Sequence, residues 1–402
     1  MNDDRKFSVY LHIIKSYYKT NRSSSLFLKI WIILFPQLIM VTERAKLVAN
    51  GKGDDKSGTE LLTHQLPPTA KPTVLERFVG AVAITSVLGA MAIGPLIPIV
   101  LAMMAWMGWI QLAATLTVIL LVSMATAGYS PAYCRWHMRA ACWFTNGVYL
   151  HMEQKALETL QHGPSLWCMH PHGTSLGFGF SLNGAVRFRA NDDERLVPAK
   201  IVETISSHRL RNTNGIMAPV LFYIPLIRHL LLALGCCTPA TKRGFRSLLQ
   251  QGVDVGILPG GMEEVALYQH ATERVYVKNR AGFIKYALQY GYTVQPAYTF
   301  GEADLYHALQ AGASLRMWMQ RHLGFIIPIF WGPYWKYGLP WLPRSDVAIH
   351  TVLGQPLILP RIDNPTPEDV QKYHSLYLQH LQQLFETHKV RFGYGDRQLE
   401  IL

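Results

Sequence analysis

Between Phe78 and Cys134 the chain carries no Asp, Glu, Lys, Arg or His. A helix on the surface of a soluble protein keeps a charged face, so a stretch this long constrains the fold more than any other feature. One crossing of a bilayer takes about 20 apolar residues, and the stretch is long enough for two. Gly94, Pro95 and Pro98 lie near its middle and mark a turn. The spacing predicts two helices, 78–94 and 99–127, forming a membrane hairpin. The first is short for a full crossing, so a re-entrant hairpin fits as well. Lys71 and Arg77 precede the stretch and Arg135 and Arg139 follow it, which places both ends on the cytosolic side by the positive-inside rule. Trp106 and Trp109 do not fall where an interfacial belt would put them. A buried hairpin of a soluble core is the alternative.

The remaining composition is consistent with that environment. Thirty-eight basic residues against twenty-six acidic ones give a formal charge of +12. Such a balance favours nucleic acid, anionic headgroups or phosphate-bearing ligands, although basic flanks of membrane segments explain part of it. The five cysteines show neither CxxC spacing nor a disulfide framework, as expected in a reducing compartment. The opening MNDDRKFSVY has acidic residues where a signal peptide has a basic region. Residues 26–40 form a shorter apolar run broken by Lys29 and Pro36, expected to lie in the interface. Residues 50–72 are polar, rich in turn formers, and read as a mobile linker.

After residue 135 the pattern becomes an α/β alternation. Strands are predicted at Leu166–Met169, Lys200–Ile205, Val253–Leu258, Thr293–Thr299 and Val347–Leu353, with helices at 153–162, 241–251, 278–290 and 303–321. This order predicts a mostly parallel sheet covered on both faces. A final helix is signalled by Thr366 as N-cap, Pro367 at the first position and Asp369 completing a capping box. Val370, Tyr373, Tyr377, Leu381, Leu384 and Phe385 then repeat at helical spacing. Gly215–Gly235 and Leu323–Pro343 are unusually apolar, and the aromatic and proline content of the second fits either a dip into the membrane interface or a core segment.

Several groups carry chemistry. Cys168-Met169-His170-Pro171-His172-Gly173 ends a predicted strand, where reactive groups emerge in α/β folds. Pro171 stiffens the corner, and a neutral imidazole there can take a proton from an alcohol. Half a metal site, or a purely structural pair, are the other readings of these residues. Gly260-Gly261-Met262-Glu263-Glu264 follows another predicted strand and delivers carboxylates to the same sheet edge. A carboxylate beside an imidazole fixes its tautomer and stabilises its cation. Thr241-Lys242-Arg243 opens a helix, where basic side chains suit a docked anion. Lys278, Arg280 and Lys285 form a second basic set.

The residues His170-Pro171-His172-Gly173 resemble the HPHG signature of the type-2 diacylglycerol acyltransferases, a family that includes monoacylglycerol and wax-alcohol acyltransferases. Gly260-Gly261-x-x-Glu264 is similar to its GGxxE block. Arg280-x-Gly282-Phe283 with Ala287-Leu288 resembles its RxGFxxxAL block, and Pro296-x-Tyr298-x-Phe300-Gly301-Glu302 its VPxYxFGE block. Val352-x-Gly354-x-Pro356-Leu357 and the terminal Tyr373–Gly393 helix match in the same order. The resemblance covers about 165–395. It implies a glycerolipid-acyltransferase-like α/β domain at 135–402, behind an N-terminal segment at 1–77 and a membrane hairpin at 78–134. It implies transfer of an acyl group from acyl-CoA to diacylglycerol, at the endoplasmic reticulum membrane or on lipid droplets, with catalytic domain and termini cytosolic. Acyl-CoA is a substrate; no cofactor, metal or nucleic acid is implied, and a homo-oligomer is compatible with it.

On this reading His172, or else His170, is the general base, and Glu264 or Glu263 orients it. Pro171, Gly173, Gly260 and Gly261 shape the two corners. Lys242, Arg243, Lys278, Arg280, Gly282 and Phe283 are candidates for holding acyl-CoA. N–H groups near Gly173 would face the oxyanion, and Cys168 is the alternative nucleophile in a covalent scheme. A monoacylglycerol or wax-alcohol acyltransferase, a metal-dependent membrane lipid hydrolase and a non-catalytic lipid-binding protein are the competing functions.

Overall fold

The computed structural model describes residues 61–66 and 72–402, apart from 175–176, 190–195, 198, 206, 325 and 327. The apolar run at 26–40, and the linker outside 61–66 and 72, lie beyond the described residues. Among the described residues twelve strands occur in chain order: β1 Leu61–Leu66, β2 Val148–Glu153, β3 Ser165–His170, β4 Asn214–Met217, β5 Cys237–Pro239, β6 Val255–Ile257, β7 Arg274–Val275, β8 Thr293–Phe300, β9 His307–Ala308, β10 Phe330–Trp331, β11 Ile349–Leu353 and β12 Glu400–Ile401. Eight build the main sheet, in the order β1-β2-β11-β8-β3-β6-β4-β5.

From β8 across to β5 all pairings are parallel. β11 turns against β8 while running parallel to β2, and β1 closes the edge antiparallel to β2. The sheet is therefore parallel where β3, β6 and β8 lie side by side, and their carboxyl ends share one edge.

Side-chain alternation along the strands divides the core into two layers. Trp167 and Met169 of β3, with Ile349 and Leu353 of β11, face a cluster built with the helices Val74–Ile93 and Pro131–Cys142. Leu166, Cys168, Val294, Tyr298 and Val352 face the opposite cluster, covered by the helices Lys242–Gln250, Gly282–Tyr290 and Pro367–His388. The last helix begins as its sequence signals: Thr366 Oγ1 accepts the Asp369 N–H at 3.2 Å, and Asp369 accepts the Thr366 N–H at 3.0 Å.

Four expectations are corrected. Residues 199–204 form a helix, because Ile201 and Ile205 are buried four positions apart while Val202 faces out, a helical period rather than an alternating one. Part of the linker reading fails at Leu61–Leu66, which pairs along β2 and buries Leu66. The helices expected over 278–290 and 303–321 begin later, at Gly282 and Ala313. Leu323–Pro343 is split rather than uniformly superficial: Tyr334 and Leu342 enter the core and Trp341 Nε1 donates to Thr85 Oγ1 at 3.1 Å, whereas Ile329 and Trp335 face out.

The charge-free stretch also departs from a simple two-helix hairpin. It holds Val74–Ile93, Leu96–Trp106 and Ile110–Thr126. The second break falls at Gly108, whose φ of +91° suits a residue without Cβ. Val74–Ile93 is long and apolar enough to cross a membrane, yet Ala83, Ile84 and Leu88 pack into the core beneath the sheet. Leu96–Trp106 and Ile110–Thr126 turn their apolar side chains outward, with Trp106, Met107 and Trp109 exposed at the bend between them.

Candidate functional site

The parallel run of β3, β6 and β8 sets the site. β3 ends at His170, β6 at Ile257 and β8 at Phe300, in adjacent positions of the sheet. Hence the loops carrying His172, Glu264 and Glu302 leave from the same edge, the usual location of sites in α/β sheets. The His170–Pro171 peptide is cis.

His170 continues the alternation of Leu166 and Cys168 and so faces the C-terminal helix. Its Nε2 is 2.8 Å from the Tyr377 hydroxyl, and its Nδ1 lies 3.8 Å from Glu264 Oε2, an ion-pair rather than a hydrogen-bond distance. Only 1% of His170 is exposed, against 9% of His172. The His172 Nδ1 is buried and has no hydrogen-bond partner among the described residues. Burial holds the His172 imidazole below its ordinary pKa of 6.5, opposed by the nearby Glu264 carboxylate. At neutral pH this ring is uncharged and can accept a proton.

Glu264 stands on the short helix Gly261–Ala266. Its carboxylate accepts the main-chain N–H of His172 through Oε1 and that of Tyr276 through Oε2, the latter at 2.8 Å. Burial opposes its charge, but His170 and the two N–H donors outweigh this and hold the carboxyl below its usual range. Glu264 therefore braces the backbone of the corner and neighbours the His170 ring; the orientation of His172 through its ring nitrogen, as expected from sequence, is not what this contact provides. A Cβ at Gly260 would collide with the Glu264 carboxylate. Glu263 points away and pairs with Arg280.

The remaining predicted residues spread along the same edge. Arg280 lies over the Tyr276 ring at 5.5 Å besides pairing with Glu263. Lys278 is exposed and its N–H donates to the Leu402 carbonyl at 2.8 Å. Lys242 and Arg243 are exposed at the start of the helix leaving β5, three strand positions from β3, or about 14 Å at the usual spacing. Gly282 is exposed. Phe283 is buried against Tyr377 at 5.0 Å between ring centres, so it packs the wall behind His170 instead of lining an open surface.

Cys168 is fully buried, and burial pushes its thiol well above the ordinary range. A thiolate nucleophile is disfavoured in that setting. Among the described residues no three His, Cys, Asp or Glu side chains converge as metal ligands.

Two contributors were not recognised from sequence. Tyr377 reads as one more apolar position of the last helix; the signal was its hydroxyl, which when buried needs a partner. Glu302 stands in a matching motif block without an evident role. Its carboxylate accepts the N–H groups of Phe178 and Gly179, each at 2.9 Å. Gly173, at φ +71°, lies against it so closely that a Cβ there would strike Glu302 Oε1.

Comparison with known proteins places the chain. The diacylglycerol acyltransferase family profile matches residues 99–402. Diacylglycerol O-acyltransferase 1 of Eremothecium gossypii is 29% identical over 66% of this chain and 57% of its own length. Acyl-CoA wax alcohol acyltransferase 1 of Mus musculus is 36% identical over 44% of this chain and 56% of its own. For these two the matched stretch spans little more than half the relative. Human 2-acylglycerol O-acyltransferase 3 is 30% identical over 81% of this chain and 95% of its own length. No solved structure matches. With most of the chain inside the family profile, the protein belongs to the diacylglycerol acyltransferase family.

Proposed function

We propose that the chain is an acyl-CoA-dependent O-acyltransferase of lipid metabolism that esterifies diacylglycerol to triacylglycerol. The observation that carries this reading is His172: a ring kept neutral by burial, less enclosed than His170 and without the tyrosine partner that His170 has, on a corner whose backbone is tied to Glu264. The neutral imidazole takes the proton of the acceptor hydroxyl as that oxygen attacks the thioester carbonyl. The tetrahedral oxyanion then collapses, the C–S bond breaks, and the imidazolium returns the proton to the leaving CoA thiolate. The products are the ester and free CoA.

The main-chain N–H groups of His172, Phe178 and Gly179 are occupied by carboxylates. Stabilisation of the oxyanion is therefore assigned to the Gly173 N–H, in a site where a preset donor lowers the barrier. Lys242, Arg243 and Lys278 meet the CoA phosphates. Glu263 holds Arg280 beside them.

The helices Leu96–Trp106 and Ile110–Thr126 insert into the membrane, supported by their charge-free sequence and outward apolar side chains. Acceptor and product are insoluble in water, so an enzyme anchored in this way draws both from the bilayer. The positive flanks put the catalytic domain on the cytosolic side, where acyl-CoA is available, and the endoplasmic reticulum is the matching membrane.

Microsomes containing the chain, given labelled acyl-CoA with diacylglycerol, monoacylglycerol or a long-chain alcohol, test this. Triacylglycerol as the dominant product is the expected outcome. A dominant wax ester or diacylglycerol reassigns the acceptor, and no ester with any acceptor removes the function.

A further inference from the structure

Glu302 follows the carboxyl end of β8, 2% exposed. Its two oxygens hold the N–H groups that begin the helix Phe178–Asn183, while Oε1 also abuts Gly173, the residue after His172. A single carboxylate thus touches Gly173, just past the proposed base, and the start of the helix Phe178–Asn183. Glutamine at this position offers one acceptor oxygen, so it can hold only one of the two N–H groups.

We propose that Glu302 is a positioning residue for acyl transfer, its carboxylate keeping the turn after His172 in the shape that presents the imidazole and the Gly173 N–H. The inference rests on the reading of His172 as base and adds to it a residue that never touches substrate.

The clamp carries a pH signature. Burial, the largest influence, pushes the Glu302 carboxyl up to about 7, against the two N–H donors that favour its charge. The groups facing it are the Glu264 and Glu273 carboxylates, which raise it further, and the Tyr268 and Tyr306 hydroxyls. Protonation turns one acceptor oxygen into a hydroxyl and releases one N–H. Activity therefore falls as pH drops through about 7, separately from the lower step that protonates His172.

Stability runs the other way. A carboxyl whose folded pKa exceeds its unfolded value contributes stability that is complete below the unfolded pKa, about 4.5, and is lost as pH rises to about 7.

The full chain in microsomes tests this, with wild type, Glu302→Gln and His172→Ala assayed for transfer from acyl-CoA to diacylglycerol across pH. Glu302→Gln is expected to lose about 10²-fold in kcat, the cost of misplacing a catalytic group by about 1 Å. KM for acyl-CoA should stay within about two-fold, and the step near pH 7 should vanish from both the rate profile and the heat-stability profile. A variant with wild-type kcat, or one that keeps the step near 7, overturns the proposal. Should the variant fail to accumulate in membranes, the wild type decides: absence of that step from its rate and stability profiles overturns the proposal equally. No transfer by wild type to any acceptor overturns the function and this inference with it. Activity in His172→Ala overturns the base and this inference, which rests on it, while leaving the acyltransferase function standing.

Discussion

Along Leu96–Trp106 and Ile110–Thr126 only Ala113 is buried, and the exposed side chains are large and apolar. At the corner after β3 the arrangement inverts: His170, Glu264 and Glu302 are shut inside, where His170 Nε2 and the two carboxylates find partners while the Nδ1 atoms of His170 and His172 do not. Apolar groups facing out are stable where the surroundings are themselves apolar. Polar groups facing in are stable only where the protein replaces the hydrogen bonds of water. On the proposed membrane placement the first region takes its stability from its solvent and the second from its neighbours, so substitutions should fail in opposite ways.

The largest effect is expected at the polar corner. His172→Ala should lower kcat by about 10²–10⁴-fold, the usual loss for a general base, with the protein still in the membrane. In the wild type, activity should rise with pH through a value below 6.5, because burial lowers the pKa of this imidazole and only its neutral form accepts a proton. Next comes a charge placed on the apolar helices. Ile119 is 58% exposed and Ile358, on the α/β domain, 71%. Ile119→Lys should cost about 2.5–3.5 kcal/mol of membrane insertion and shift the chain out of carbonate-washed membranes. Ile358→Lys should change stability by no more than about 0.5 kcal/mol. Equal behaviour of the two would break the comparison.

A smaller effect belongs to Tyr377→Phe. It leaves the His170 Nε2 buried without its partner, at about 1–3 kcal/mol, read as a lower melting temperature with only a modest fall in activity. The smallest is Cys168→Ser, which should leave kcat within about two-fold because the buried thiol takes no part in transfer. Collapse of activity would instead demand an acyl-cysteine route.

Much of the site was legible where local rules determine it. The Thr366–Asp369 capping box needs only residues within one turn, and the strands ending at His170 and Ile257 were bounded by Pro171 and Pro259-Gly260. Misreadings fell where a neighbour decides. Ile201 and Val202 suit strand or helix, and burial beneath the sheet selected the helix. Leu61–Leu66 is polar enough to be a linker until β2 offers it an edge. Glu264 was visible as a carboxylate near the site and Glu302 only as a motif residue, but which N–H groups they bind depends on how three parallel strands align.

The sequence by itself determined that a charge-free stretch needs an apolar setting and that a histidine-proline-histidine corner closes a strand, since both follow from side-chain chemistry and covalent geometry. Only the tertiary structure decided that Val74–Ile93 packs into the core beneath the sheet, that His170 is enclosed against Tyr377 while His172 is the more exposed of the two, and that Glu302 holds the N–H groups of Phe178 and Gly179. Those contacts join residues far apart in the chain, and burial and partnership exist only once the strands have paired.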